Sequence, residues 1–92
     1  MENTLEKYFL IQKAEETKDG SIDIFDRKFA KLEHLDYTLK NMETKYECEK
    51  LFETNGMIYY KKKSNGYIFI IHVKDFWEYN NETHKMTSII TI

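Results

Sequence analysis

The residue types that could do chemistry are few and scattered. His34, His72, His84 and the lone cysteine, Cys48, stand far apart along the chain. A metal centre needs several such ligands at short paired spacings, and no local set has them. Asp19-Gly20-Ser21-Ile22-Asp23 opens like a calcium loop, but Ile24 and Ala30 stand where that loop needs its glycine and its closing glutamate. Phosphate-cradling loops need clustered glycines, whereas Gly20, Gly56 and Gly66 are isolated. In Glu33-His34-Leu35-Asp36 the neighbours diverge around a helix and read as a solvated face. Cys48 falls on an apolar helical face and reads as a small core residue rather than a nucleophile, since a reactive thiolate wants cationic neighbours. Neither a cofactor nor a metal is expected, and no enzyme. The enzymatic alternative is a small acid/base RNase using His72 with Lys74, or His84.

Binding chemistry is better represented. Tyr59-Tyr60-Lys61-Lys62-Lys63-Ser64-Asn65-Gly66-Tyr67 sets three consecutive lysines between tyrosines. Lysines neutralise phosphates and aromatic faces stack unpaired bases, so the segment suits a nucleic-acid-binding hairpin. The formal net charge of −2 and the single arginine, Arg27, weigh against that alternative. Lysines at a hairpin tip also keep a strand edge soluble and unpaired.

A second concentration is Asp75-Phe76-Trp77-Glu78-Tyr79, and Trp and Tyr are frequent interface anchors. Strand alternation continues the row Phe69, Ile71, Val73 to Trp77, predicting Trp77 in the core and Phe76 or Tyr79 as the exposed contact. The third feature is acidic. Asp36, Glu43 and Glu47 fall on one helical stripe with Lys40 between them, a face able to dock on a basic groove of a nucleic-acid enzyme. Residues 21–54 carry net −2 and residues 55–92 net +2, so charge is segregated.

These residues must be positioned by elements whose periods change along the chain. Residues 5–13 read as a strand ending towards a turn at Asp19-Gly20, with a helix as the alternative, and Ser21 to Phe25 alternates as a short strand. From Asp26, the positions Phe29, Leu32, Leu35, Leu39, Met42 and Tyr46 recur at three- and four-residue spacing, which predicts a helix. Thr44-Lys45-Tyr46-Glu47 has the form of a capping box and predicts a second helix, with Cys48, Leu51 and Phe52 inward and a stop at Asn55-Gly56. One bent helix and two helices both fit. Residues 57–63 and 67–79 flank Asn65-Gly66, a strong hairpin signal, and residues 84–92 return as a further strand beyond a turn at Asn80 to Thr83. The expected fold is α+β in two layers, an antiparallel meander of about three to five strands packed on one or two helices. One domain spans residues 1–92.

The 92-residue length allows one modest core. No apolar run approaches the roughly 20 residues of a membrane-spanning helix, and the N-terminus lacks a secretory layout. With one cysteine and so no internal disulfide, a cytoplasmic location is expected. Thirteen lysines against one arginine, with abundant Ile, Asn, Tyr and Phe, is the composition of an AT-rich genome. Size and composition point to a small accessory protein of phage or mobile-element type. The expectation is a protein-binding module that modulates or inhibits a host protein through Phe76, Trp77 or Tyr79 and the acidic stripe. Homodimerisation through a free sheet edge is a further expectation.

Overall fold

A computed structural model describes residues 5–90 of the chain. Residues 91–92, expected in the last strand, lie outside them. Among the described residues six antiparallel strands form one sheet: β1 (Leu5–Glu16), β2 (Ile22–Lys31), β3 (Cys48–Thr54), β4 (Met57–Lys62), β5 (Ile68–Asn80) and β6 (Lys85–Ile90). A single-turn 3-10 helix (Leu32–His34) leads into one α-helix, α1 (Leu35–Glu43). The α+β class holds in this coarse form, with more strand and less helix than the sequence predicts.

Two predicted helical stretches are strands. Residues 26–31 belong to β2, because the Asp19-Gly20 turn returns the chain onto β1 in a ladder from Glu16 opposite Ile22 to Tyr8 opposite Lys31. In that turn the Asp19 carboxylate accepts from the Thr17 hydroxyl and the Ser21 amide, and these bonds hold its pKa down at about 2. Residues 48–54 form β3 rather than a second helix. Glu47, at φ 52°, turns the chain out of the helix, and Asn55 and Gly56, at φ 50° and 76°, make a tight hairpin turn into β4. The same left-handed pair that would stop a helix here reverses a strand. The expected strand at residues 5–13 and the hairpin across Asn65-Gly66 are both present.

The sheet order is β2-β1-β5-β4-β3, and β5 is the long central strand. Its first half pairs with β4, from Ile68 opposite Lys61 to His72 opposite Met57; its second half pairs with β6, from Asp75 opposite Ile90 to Asn80 opposite Lys85. The strands β4 and β6 thus lie end to end along one side of β5, with β1 on the other. Ile11 faces Ile71, but Phe9 faces Phe76, so β5 carries three residues more than β1 across this step. This bulge exchanges the faces of β5, as an odd number of inserted residues must.

One face is covered by α1. Leu35, Leu39 and Met42 pack with Phe9, Ile58, Tyr60 and Ile71, and Cys48 closes the cluster. Phe9 and Ile71 are fully enclosed. An isolated nine-residue helix is marginal in water, so α1 depends on this contact.

The bulge is tied to the β3–β4 turn. The Val73 amide donates to the Gly56 carbonyl at 2.8 Å, and a Cβ on Gly56 would lie 2.8 Å from Lys74 Cβ. We predict that Gly56→Ala, which adds this clash to a left-handed φ, destabilises the protein by about 2 kcal/mol or more. In a thermal melt that corresponds to a fall of roughly 10 °C. An unchanged melting temperature would show that the turn and the bulge do not meet.

Candidate functional site

Among the described residues, no helix lies over the second face of the sheet. Alternation places Ile24, Ala14, Ile68 and Lys61 in one row across β2, β1, β5 and β4, and Arg27, Gln12, Ile70, Tyr59 and Phe52 in the next row, which reaches β3. Ala14, Ile68 and Ile70 are buried within this layer by their neighbours, with Met57 and Tyr59 packed against them. Tyr59 and Phe52 stack at 4.5 Å between ring centroids. The ends of the rows stay open, with Ile22, Ile24 and Phe52 between 41% and 48% exposed. Charged and polar pairs frame the patch. Lys61 Nζ lies 3.9 Å from Glu16, and His72 Nε2 donates to Gln12 Oε1 at 2.7 Å.

Beyond the bulge the open face continues through Leu10, Phe29, Trp77 and Tyr8. Phe29 and Trp77 meet edge to face at 5.3 Å. Tyr79 shares a hydrogen bond with His84 Nδ1 at 3.1 Å. Glu6 accepts from the Tyr8 hydroxyl at 3.2 Å and pairs with Lys31 at 3.7 Å. Here the expectation for Phe76 and Trp77 is reversed, while Tyr79 lies on the open face. The face exchange turns Phe76 onto the helix-side core and Trp77 onto the open face, whereas uninterrupted alternation predicts the opposite.

The acidic stripe is only partly assembled. Asp36 and Glu43 are exposed on α1, two turns apart, while Glu47 has left the helix. The Tyr/Lys hairpin is dealt to both faces. Tyr59 and Lys61 lie on the open face, Lys63 is exposed at the tip, and Tyr60 is 2% exposed in the helix-side core. Burial first, then Glu43 and Glu53, pushes the Tyr60 phenol up. Lys62 shares the helix side with Cys48, and Tyr67 meets Phe25 there at 5.4 Å.

The candidate catalytic groups stand in separate places. His72 is half-buried in β5, while His84 sits beyond β5 in the turn to β6. The Cys48 thiol donates to the Tyr46 carbonyl at 3.7 Å, and burial pushes its pKa up, away from a nucleophilic thiolate. Among the described residues no group of three or more His, Cys, Asp or Glu could hold a metal ion, and no helix is long and apolar enough to cross a membrane. Residue spacing overlooked Ile22, Ile24, Met57 and Ile70 as parts of one patch. Their alternation was legible, but strand pairing alone makes them neighbours.

Burial lowers the His72 pKa below its ordinary 6.5, outweighing the opposite pull of Asp75. The folded state therefore binds fewer protons than the unfolded state near this pH. The resulting stability is present above pH 6.5 and is lost as pH falls through the lowered folded-state value. We predict that the melting temperature falls between about pH 7 and 5, and that His72→Gln flattens this part of the profile. Identical slopes in the two proteins would remove His72 from the patch's stability. Comparison with protein-family models, curated proteins and solved structures finds no match to this chain.

Proposed function

We propose that this protein is a non-enzymatic protein-binding module and that the open face of its sheet is the docking surface. The observation that carries this reading is the asymmetry of the two faces. One receives α1, whereas the other displays a cross-strand apolar layer with Ile22, Ile24 and Phe52 exposed at its ends. Such a layer, framed by polar pairs, matches the anatomy of an interface with an apolar centre and a wet rim. Its centre is the Tyr59–Phe52 stack beside Ile70. Trp77 extends the surface past the bulge. Aromatic anchors of this kind carry a large share of binding energy.

The finer reading is a small accessory of phage or mobile-element type that modulates or inhibits a host protein. It is supported by the chain's size and AT-rich composition. Asp36 and Glu43 on α1 lie apart from the docking face and are not required by this reading.

Binding is tested by recovering the partner from cells of the source with tagged protein. One stoichiometric partner is expected with wild type and with Lys63→Glu. Ile24→Glu combined with Phe52→Glu should weaken capture at least tenfold, as for loss of an interface anchor worth about 2 kcal/mol. Both positions are nearly half exposed, so the double variant should keep its melting temperature within a few degrees. Undiminished capture by a folded double variant, or no stoichiometric partner for wild type, would reject the docking surface.

A further inference from the structure

The helix does not reach the β2 side of the face it covers, and a groove is left there. Its floor is Ile11, Ala30 and Phe69, and one wall is Tyr37, Asn41 and Tyr46, enclosing about 270 Å³. The groove continues over Ile11 and Phe69 into a second hollow of about 150 Å³, where Lys13, Asp26, Arg27 and Lys28 replace the helix as lining. The two hollows also share Lys28.

Charge and aromatic surface coincide here. The Lys13 ammonium stands 5.5 to 5.9 Å from the centroids of the Phe25, Tyr67 and Phe69 rings. The ion pairs among the described residues are Lys31–Glu6, His34–Glu33, Lys50–Glu53 and Lys61–Glu16, so Lys13 and Lys28 have no carboxylate partner. The one carboxylate in the second hollow, Asp26, accepts from the Arg27 backbone amide at 2.8 Å. Two cations, Lys13 and Lys28, therefore line a groove in a chain whose net charge is −2, while the Arg27 side chain belongs to the opposite row with Gln12. Around them Tyr37, Phe25 and Tyr46 are 65%, 48% and 42% exposed.

We infer that this groove binds single-stranded nucleic acid. Unpaired cations neutralise phosphates, and exposed rings stack bases that have no partner strand. Lys13 links the two functions. In the free protein its ammonium rests near the ring faces, held by attraction to their negative quadrupoles. An incoming base takes over the rings while the ammonium turns to the phosphate. A duplex does not fit this chemistry, since its bases are already stacked on one another. The site includes Tyr67 from the basic hairpin, but Tyr59 and Lys61 lie on the opposite face and take no part. It is also on the opposite face from the proposed protein-docking surface, so the two readings stand or fall separately.

The test is fluorescence anisotropy with labelled oligo(U) and oligo(dT) of roughly twelve nucleotides, titrated at salt concentrations from about 50 to 200 mM. Lys13→Gln with Lys28→Gln should weaken binding at least tenfold at low salt. It should also reduce the slope of log affinity against log salt by about 1.4, twice the roughly 0.7 per phosphate of a single strand. Tyr37→Ala, at the most exposed ring, should cost about fivefold or more with no change in melting temperature. Lys61→Gln with Lys63→Gln should leave affinity within twofold of wild type. No binding at low salt, an equal loss from the Lys61 and Lys63 pair, or equal competition by a duplex or by oligoglutamate would overturn the inference.

Discussion

The interruption of β5 between Ile71 and Phe76 is the constraint on which the rest of the structure depends. Without it, β5 would present one unbroken set of residues to α1 and the other set to solvent. With it, Ile71 and Phe76 reach the same core although their positions differ in parity, and Phe9 and Ile11 of the regular strand β1 receive them both. The bulge also separates β4 from β6, so that two hairpins share one central strand. The amide of Val73, released from strand pairing at this point, is satisfied by the carbonyl of Gly56. A buried amide left unpaired would cost about 1 to 3 kcal/mol, so the turn and the bulge support one another.

From this break follows the division between core and surface. Complete burial of Phe9 and Ile71 contributes about 1.5 to 3 kcal/mol each, and the helix that encloses them is too short to cover the whole face. On the uncovered remainder Lys13 lies beside three rings at the border of the open groove. On the other face Ile68 and Ile70 are enclosed only by their lateral neighbours, Tyr59 and Ala14 among them. Both faces therefore combine a small dry centre with aromatic or aliphatic side chains at the edge. The free edge of β2 is guarded differently, by the Asp26 carboxylate on the outward Arg27 amide.

Much of the sheet was legible in the chain. The Asn65-Gly66 turn, the long strand after it, the strand at residues 5–13 and the leucine stripe of α1 all carry local signals strong enough to survive folding. The stretches at 26–31 and 48–54 did not, because each has a helical spacing that competes with a strand ladder formed across a tight turn. Phe29 shows how the competition is resolved: its spacing to Leu32 suits a helix, yet its ring packs on Trp77, 48 positions away in the sequence. The exchange of Phe76 and Trp77 was illegible for a related reason. Nothing in Val73-Lys74-Asp75 announces a bulge, which is created by pairing with β1, β4 and β6 together. The two proposed binding surfaces share this origin, since Ile24, Ile70 and Phe52, or Lys13, Phe25 and Tyr67, become neighbours only across strands.

The face exchange decides which aromatic residues are available for binding, and nuclear Overhauser contacts of the Trp77 indole test it most directly. Contacts are expected from the indole to the Phe29 ring and to Tyr8, with Phe76 instead in contact with Phe9 and the helix-side core. Contacts from the indole to Leu35 or Leu39, with Phe76 free of the core, would contradict it.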